Sequence, residues 1–130
     1  MRILGIDYGR RKIGLATSTN EIAEPYGVIK YRYLKKAMAK ISEIVKKEKI
    51  EILVVGISEG EMEMESHNFA SLLRGTLKIP IDTFDETLST QDAKSLSLKA
   101  NVKRKKRHSL EDAYAAAVML QSYLDSNAQN

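Results

Sequence analysis

The sequence contains no cysteine, and this absence excludes whole classes of protein. Without cysteine the chain has neither a disulfide framework nor a thiolate zinc site. Its two histidines, His67 and His108, lie far apart and lack the spacing of a metal site, so we interpret both as surface residues. Any metal site is therefore expected to use mainly oxygen ligands.

The sequence also lacks a long apolar run. No segment approaches the roughly 20 apolar residues that a membrane-spanning helix needs, and the N-terminus has no signal-peptide core followed by a small-residue cleavage site. We therefore expect a cytoplasmic protein with no membrane association. A strong charge imbalance is missing too, because 21 Lys and Arg stand against 17 Asp and Glu. This mild excess permits a polyanionic partner without requiring one.

What is present indicates one globular domain. The chain has 130 residues, of which 43% are hydrophobic, and this is enough to bury a core without disulfides or a structural metal. We expect the domain to cover residues 1–125 and residues 126–130 to form a flexible tail. The sequence leaves open whether the protein is a monomer or a homodimer.

The first seventeen residues predict a β-hairpin that ends on a carboxylate. A short apolar run reaches Asp7, the stretch Tyr8–Arg11 turns, and Lys12–Thr17 returns as a second strand. A carboxylate at the open end of a buried strand is held on rigid backbone, which suits a metal ligand or a general base. The alternative is turn chemistry, because an Asp before x-Gly also bonds to backbone amides two residues on.

The remaining pattern predicts a mixed α/β sheet. After a break at Pro25 we expect the strand Tyr26–Tyr31, and Gly56 is interpreted as the point where the fourth strand leaves the sheet. The polar and acidic stretch Ser58–Ser66 is interpreted as a connection that is either mobile or continues into a helix. The other expected elements are a helix from Leu34 to Glu48, a buried strand Ile50–Ile57, a helical stripe Phe69–Leu77, a strand Ile79–Phe84, a short helix capped by Ser89 or Thr90, and a final helix from Leu110 to about Asp125 capped by Ser109. We predict five strands, three antiparallel and then parallel ones, with helices on both faces.

Three acidic residues lie at the ends of these elements: Asp7 after the first strand, Glu86 after the fifth, and Asp112 in the first turn of the final helix. If the first, fourth and fifth strands are neighbours, their carboxyl ends open onto one edge, where ligands bind in α/β sheets. Converging carboxylates repel one another unless a cation compensates them. Mg²⁺ or Mn²⁺ suits such oxygen ligands and supports phosphodiester hydrolysis.

Each acid also has a structural explanation. Ser109-Leu110-Glu111-Asp112 has the spacing of a capping box, so Asp112 is also interpreted as a residue that bonds the free amides of its helix. Glu86 is equally compatible with an exposed strand end. Only the combination of the three favours a metal site.

Two basic clusters precede or follow two of these acids in the sequence. Such runs are usually solvated, but they also neutralise phosphates. No aromatic residues interrupt the second cluster, which disfavours base stacking and favours backbone contacts. The candidate nucleic-acid-binding residues are Arg10, Arg11, Lys12, Lys103, Arg104, Lys105, Lys106 and Arg107.

Four ordered motifs resemble a known family. They are Ile6-Asp7-Tyr8-Gly9-Arg10-Arg11-Lys12-Ile13-Gly14-Leu15-Ala16, Val54-Val55-Gly56, Asp85-Glu86-Thr87-Leu88-Ser89-Thr90, and Asp112-Ala113-Tyr114-Ala115-Ala116 with Leu120-Gln121-Ser122-Tyr123-Leu124. They span essentially the whole chain and are similar to those of the bacterial family of candidate Holliday junction resolvases, also described as candidate pre-16S rRNA nucleases. The resemblance implies a ribonuclease H-like fold and an active site at Asp7, Glu86 and Asp112, with Asp85 less favoured.

The sequence departs from the family pattern at three places. Ser58 stands where the family usually has proline, Thr87 where it has arginine, and the acidic segment Glu61–Glu65 where it has a glycine-containing loop. The three carboxylates are intact, so the departures bear on substrate binding rather than on metal binding.

We therefore expect a metal-dependent endonuclease that acts on structured RNA or branched DNA, with 5′-end processing of pre-16S rRNA in ribosome biogenesis slightly ahead of junction resolution. A non-catalytic nucleic-acid-binding or ribosome-assembly protein is the second interpretation. The third is an ATP-binding domain related to sugar kinases and actin-like proteins, which ranks last because the chain is short for their two-domain cleft.

Overall fold

The computed structural model describes residues 1–19, 21–85 and 111–128, which contain five strands and three helices. The elements in chain order are β1 (Ile3–Tyr8), β2 (Lys12–Ser18), β3 (Ala23–Lys30), α1 (Leu34–Lys47), β4 (Ile52–Ile57), α2 (Glu61–Thr76), β5 (Ile81–Asp85) and α3 (Glu111–Ala128).

The strands form one sheet in the order β3-β2-β1-β4-β5. β1 pairs antiparallel with β2, and β2 pairs antiparallel with β3. β1 pairs in parallel with β4, and β4 with β5. The predicted mixed five-stranded sheet is thus confirmed, and so is the expectation that the first, fourth and fifth strands are neighbours.

The predicted break at Pro25 is wrong, because the third strand, β3, begins at Ala23 and runs through Pro25. A proline has no amide hydrogen to give to a ladder, so it is tolerated on edge strands and at bulges. β3 is an edge strand, and its register with β2 shifts between Leu15 and Ala16, where Pro25 faces Ala16. The proline therefore lies at an irregular point of an edge rather than before the strand.

Of the two alternatives for the polar stretch 58–66, the structure shows the helical one from Glu61 onward. α2 begins at Glu61 after Gly60, whose φ of 87° favours glycine. Glu61 and Glu63 occupy the first turn, where negative charge complements the helix dipole. The acidic sequence therefore starts a helix instead of forming a loop.

The boundaries of the other elements lie closer to the predicted ones. β4 begins at Ile52 rather than Ile50, β5 covers Ile81–Asp85 rather than Ile79–Phe84, and α3 continues to Ala128, beyond Asp125. The predicted short helix after Ser89 and the Ser109 cap fall outside the described residues.

α1 and α2 cover one side of the sheet, which we call the aliphatic face. Its fully buried side chains are large, and the ring of Tyr8 at the end of β1 stacks on Phe69 of α2 with centroids 4.5 Å apart. The buried core here includes Leu4, Ile6, Ile13, Leu15, Ile41, Leu53, Val55, Phe69 and Leu73. Large apolar groups on both layers therefore form this core.

Among the described helices, α3 covers the opposite side, which we call the alanine face. The helix presents the buried residues Ala113, Ala116 and Ala117, and an added Cβ at Gly5 of β1 would lie 3.0 Å from the Cβ of Leu120. Small residues on both layers therefore allow α3 to approach the sheet closely.

Polar contacts fix α3 near its C-terminal end. The Gln121 side chain accepts a hydrogen bond from the Ala23 amide and donates one to the Glu21 carbonyl oxygen, each at 2.9 Å. The Tyr123 hydroxyl donates to Asp82 of β5 at 2.9 Å. Across the described part of the chain, no helix is long and apolar enough to cross a membrane.

Candidate active site

The carboxyl end of β1 places Asp7 between two residues that have no side chain. Asp7 lies opposite Gly14 of β2 and beside Gly56 of β4. Side chains at directly paired positions project from the same face of a sheet, so neither neighbouring strand places a side chain directly beside the carboxylate. Asp7 itself is half-buried. The prediction that Gly56 releases the chain from the sheet is wrong, because Gly56 lies inside β4 and is a neighbour of Asp7.

Asp7 belongs to the alanine face. Side chains alternate along a strand, and Gly5, two residues before Asp7, faces Leu120 of α3. Tyr8, the next residue, contacts Phe69 on the aliphatic face. The carboxylate is therefore directed to the side of the sheet that α3 covers.

The first turn of α3 brings Asp112 to the same place. A Cβ added at Gly14 would overlap the carbonyl oxygen of Asp112 and would lie 3.1 Å from the amide nitrogen of Ala113. Paired antiparallel residues have Cα atoms only about 4.5 to 5.5 Å apart, so the backbone of Asp112 rests one strand away from Asp7. The Asp112 side chain is half-buried. The structure thus brings the backbone of Asp112 next to the strand position that pairs with Asp7.

The third acid, Glu86, lies outside the described residues. Its neighbour Asp85 is described, and Asp85 pairs with Ile57, a residue of the aliphatic core. Asp85 is therefore directed away from the face that carries Asp7. Among the described ranges, no three acidic or histidine residues are grouped closely enough to hold one metal ion.

Sequence reasoning missed Gly14 as a part of this site. An isolated glycine inside an apolar strand indicates either a bulge or the close approach of another backbone. The segment Ile13-Gly14-Leu15-Ala16 shows this pattern, and Gly14 accommodates the start of α3. The isolated glycine was visible in the sequence, but the sequence did not identify the segment whose backbone packs against it.

The turn after Asp7 is rigid and basic. The Tyr31 hydroxyl donates to the Gly9 carbonyl oxygen at 2.5 Å, and the Tyr31 amide donates to the Arg11 carbonyl oxygen at 3.0 Å. Burial raises the pKa of the Tyr31 hydroxyl, and the adjacent Tyr8 hydroxyl raises it further. Arg11 and Lys12 are exposed at this turn.

Arg10 has a partner within the protein. Its Nε atom donates to Oε2 of Glu65 at 2.8 Å, and this hydrogen bond, together with the charge of Glu65, raises the pKa of the Arg10 guanidinium. The second basic cluster, Lys103 to Arg107, lies outside the described residues.

A cleft of about 540 Å³ opens beyond β4 and β5 on the α2 side. Its carboxylates give it negative charge, which is unfavourable for a phosphate backbone. The predicted surface residue His67 is exposed at its rim. The lining residues are Ile57, Ser58, Glu59, Gly60, Glu63, His67, Thr83, Phe84 and Asp85.

Comparison with protein families gives a match over residues 1–126 to the family model described as RuvX: Holliday junction resolvase. Curated relatives include proteins named as candidate pre-16S rRNA nucleases. The one from Syntrophomonas wolfei is 35% identical over 136 residues, covering 98% of this chain and 96% of the relative. The one from Clostridium novyi is 34% identical over 134 residues, covering 97% and 99%.

Solved structures with a similar fold include Thermus thermophilus RuvC in complex with a Holliday junction substrate. It has 14% sequence identity and a TM-score of 0.68, with 100% of this chain and 97% of that chain covered. Fowlpox virus resolvase in complex with Holliday junction DNA has 11% identity and a TM-score of 0.63, with 98% and 99% covered. Together with the observed strand order, these likenesses confirm the expected ribonuclease H-like fold.

Proposed function

This chain belongs to the RuvX family of Holliday junction resolvases and is a nuclease, and from this premise we infer that it is a metal-dependent endonuclease of structured nucleic acid. We propose that it hydrolyses phosphodiester bonds in the 5′-end processing of pre-16S rRNA during ribosome biogenesis. Such a substrate places its action in the cytoplasm.

The observation that carries this proposal is the setting of Asp7. The glycines on both neighbouring strands place no side chain beside its carboxylate, and the start of α3 packs the Asp112 backbone onto one of them, Gly14. A purely capping role for Asp112 does not require the backbone of that residue to lie against the strand beside Asp7. Both residues are half-buried, and their backbones lie one strand apart, which supports a shared task.

These donors fit a hard divalent cation. Mg²⁺ and Mn²⁺ prefer carboxylate oxygen, and like charges in a partly desolvated site need a compensating cation. We propose that Asp7, Asp112 and Glu86 hold the ion, with Glu86 assigned from the family motif alone. When bound, the ion would supply Lewis acidity at the phosphodiester and would help to ionise water.

The protein's own residues do the positioning. Asp7 is fixed by strand pairing on both sides, and the contact between Gly14 and Asp112 fixes the start of α3 against it. We propose that Arg10, Arg11 and Lys12, on the turn held by Tyr31, bind substrate phosphates next to these acids. The same role is proposed for Lys103, Arg104, Lys105, Lys106 and Arg107, from their charge alone.

A second candidate substrate is the four-way DNA junction. The two solved structures described above contain Holliday junction DNA, which favours branched DNA, whereas the curated relatives are named for ribosomal RNA. We place RNA first because those relatives are far more similar in sequence than the resolvases. A monomer and a homodimer are both compatible with the proposal.

The test compares cleavage of a precursor 16S rRNA end, a four-way DNA junction and matched unstructured strands by wild type and by Asp7→Asn, with Mg²⁺, Mn²⁺ or EDTA. We expect metal-dependent cleavage that is strongest on the RNA end and is abolished in Asp7→Asn, because the amide keeps the shape but lacks the charge that holds the ion. Thermal unfolding checks that the variant is folded.

Strongest cleavage of the junction would assign the enzyme to DNA instead. Metal-dependent cleavage that persists in Asp7→Asn would remove this residue from the site. Binding without cleavage under every metal condition would favour a non-catalytic nucleic-acid-binding protein.

A further inference from the structure

The ion pair between Arg10 and Glu65 joins the basic turn after Asp7 to the acidic start of α2. Its Nε to Oε2 distance is 2.8 Å, and the two side chains are 59% and 40% exposed. Glu61 acts on the same guanidinium through its charge. A cation proposed to bind phosphate is therefore held by a carboxylate of its own chain.

The packing of α2 explains why Glu65 lies there. Phe69 stacks on Tyr8, which anchors α2 beside the end of β1. Residues four positions apart lie on one side of a helix, so Glu65 is carried over the residues that follow Tyr8. The turn is itself fixed by the hydrogen bond from Tyr31 to Gly9. The ion pair thus connects two anchored segments through side chains that can still rotate.

A carboxylate and a phosphate compete for a guanidinium because both accept hydrogen bonds from the same N–H groups. A carboxylate that stays beside a bound phosphate also repels it. We propose that Glu65 is an intramolecular competitor for Arg10, which a substrate phosphate must displace. The proposal rests on the function proposed above and adds a residue that limits the affinity of the site.

The expected effect is modest and measurable. An exposed ion pair changes a binding constant by at most about fivefold. Each phosphate newly neutralised steepens the dependence of log K on log salt concentration by about 0.9 for duplex DNA. Competition by Glu65 therefore weakens binding, and weakens it most for ligands that make few other contacts.

The experiment measures binding of full-length protein to a fluorescent four-way DNA junction, to a matched duplex and to a precursor 16S rRNA end, in EDTA and at several salt concentrations. We expect Glu65→Gln to bind about three- to fivefold more tightly at low salt, with a salt slope for duplex that is steeper by less than one, because Arg10 contacts the same phosphate in wild type once Glu65 is displaced.

Glu63→Gln is the matched control. Glu63 is exposed on the same helix, carries the same charge, and lies about 200° around the axis from Glu65. This control should change affinity less than about twofold, since it alters only distant charge. In an Arg10→Gln background, Glu65→Gln should have no effect, because the cation for which it competes is gone.

Equal effects of Glu63→Gln and Glu65→Gln would overturn the proposal and leave only general repulsion. Weaker binding by Glu65→Gln would also overturn it, because Glu65 would then be orienting Arg10 for phosphate. If wild type binds and Glu65→Gln binds identically, this inference alone fails. If neither protein binds any of the probes, this inference and the proposed function both fail.

Discussion

The two faces of the sheet differ in the size of the residues that pack against the helices. On the aliphatic face, α1 and α2 bury large side chains such as Ile41, Phe69 and Leu73. On the alanine face, α3 meets the sheet through alanines and through the strand glycines Gly5 and Gly14. Large side chains remove more apolar area from water, at about 25 cal/mol per Å². Small ones contribute less area but bring backbones close together.

This difference separates stability from positioning. The candidate acid Asp7 lies on the alanine face, where backbone contact between Gly14 and Asp112 sets the place of Asp112 relative to Asp7. We therefore expect changes on the alanine face to reduce activity more than stability, and changes on the aliphatic face to do the reverse.

The largest effect is expected on the alanine face, from Asp112→Asn. Cleavage should fall below detection, because a proposed ligand charge is lost. Stability should fall by at most about 1 kcal/mol, since only a favourable interaction with the start of α3 is removed. Cleavage assays and urea unfolding measure the two quantities. A loss of stability with proportionate activity retained would support the capping interpretation and break the comparison.

The next largest effect is expected on the aliphatic face, from Ile41→Ala. Truncation of this fully buried side chain should lower the free energy of unfolding by about 2 to 5 kcal/mol. Activity per folded molecule should stay within about twofold, provided that the assay temperature is well below the unfolding transition. Ile41→Val is the milder companion, at about 0.5 to 1.5 kcal/mol. A specific loss of kcat in the folded variant would show that the two faces are coupled.

Gly14→Ala tests positioning directly. The added methyl group would overlap the Asp112 carbonyl, so the first turn of α3 must shift. A displacement of about 1 Å costs about a hundredfold in rate when catalytic groups are held in geometry. Gly27→Ala is the control, because nothing lies within 4 Å of its Cβ position. Similar cleavage rates for both variants would show that this close contact does not position the site.

The smallest effect is expected at the turn, from Tyr31→Phe. Loss of the hydrogen bond to Gly9 should cost about 0.5 to 1.5 kcal/mol near neutral pH. The pKa of Tyr31 is raised in the folded protein, so its neutral form is favoured there. This contribution is fully present below the unfolded pKa of 10 and is lost as the pH rises above it. Stability of Tyr31→Phe should therefore fall less steeply above pH 10 than that of wild type, measured by denaturant unfolding.

The local residue pattern was sufficient to predict an element where the burial of its own side chains determines its secondary structure. The short apolar run before Asp7 and the helical spacing of α1 predicted their elements closely. The adjacency of β1, β4 and β5 followed from the buried character of β1 and β4. These features depend on neighbours in sequence or on the burial of whole strands.

Features that depend on a distant partner were missed. Pro25 is accommodated because β3 is an edge strand with an irregular register, and neither property can be read from the residues around it. The role of Gly14 depends on Asp112, and Arg10 is paired with Glu65, which lies on another element. The sequence showed that segment 61–65 is acidic, but it did not show that Glu65 of this segment pairs with Arg10.

The contact between Gly14 and the start of α3 has a consequence for the order of events during synthesis. Asp7 leaves the ribosome about a hundred residues before Asp112 does. The two come together only after α3 has docked on a sheet that already contains β1 and β2. Contacts between such distant parts of a chain form late, because closing a long loop must precede them. A nascent chain that carries Asp7 but still lacks α3 therefore cannot assemble the proposed site. The hydrolytic activity proposed here begins only when the domain is complete.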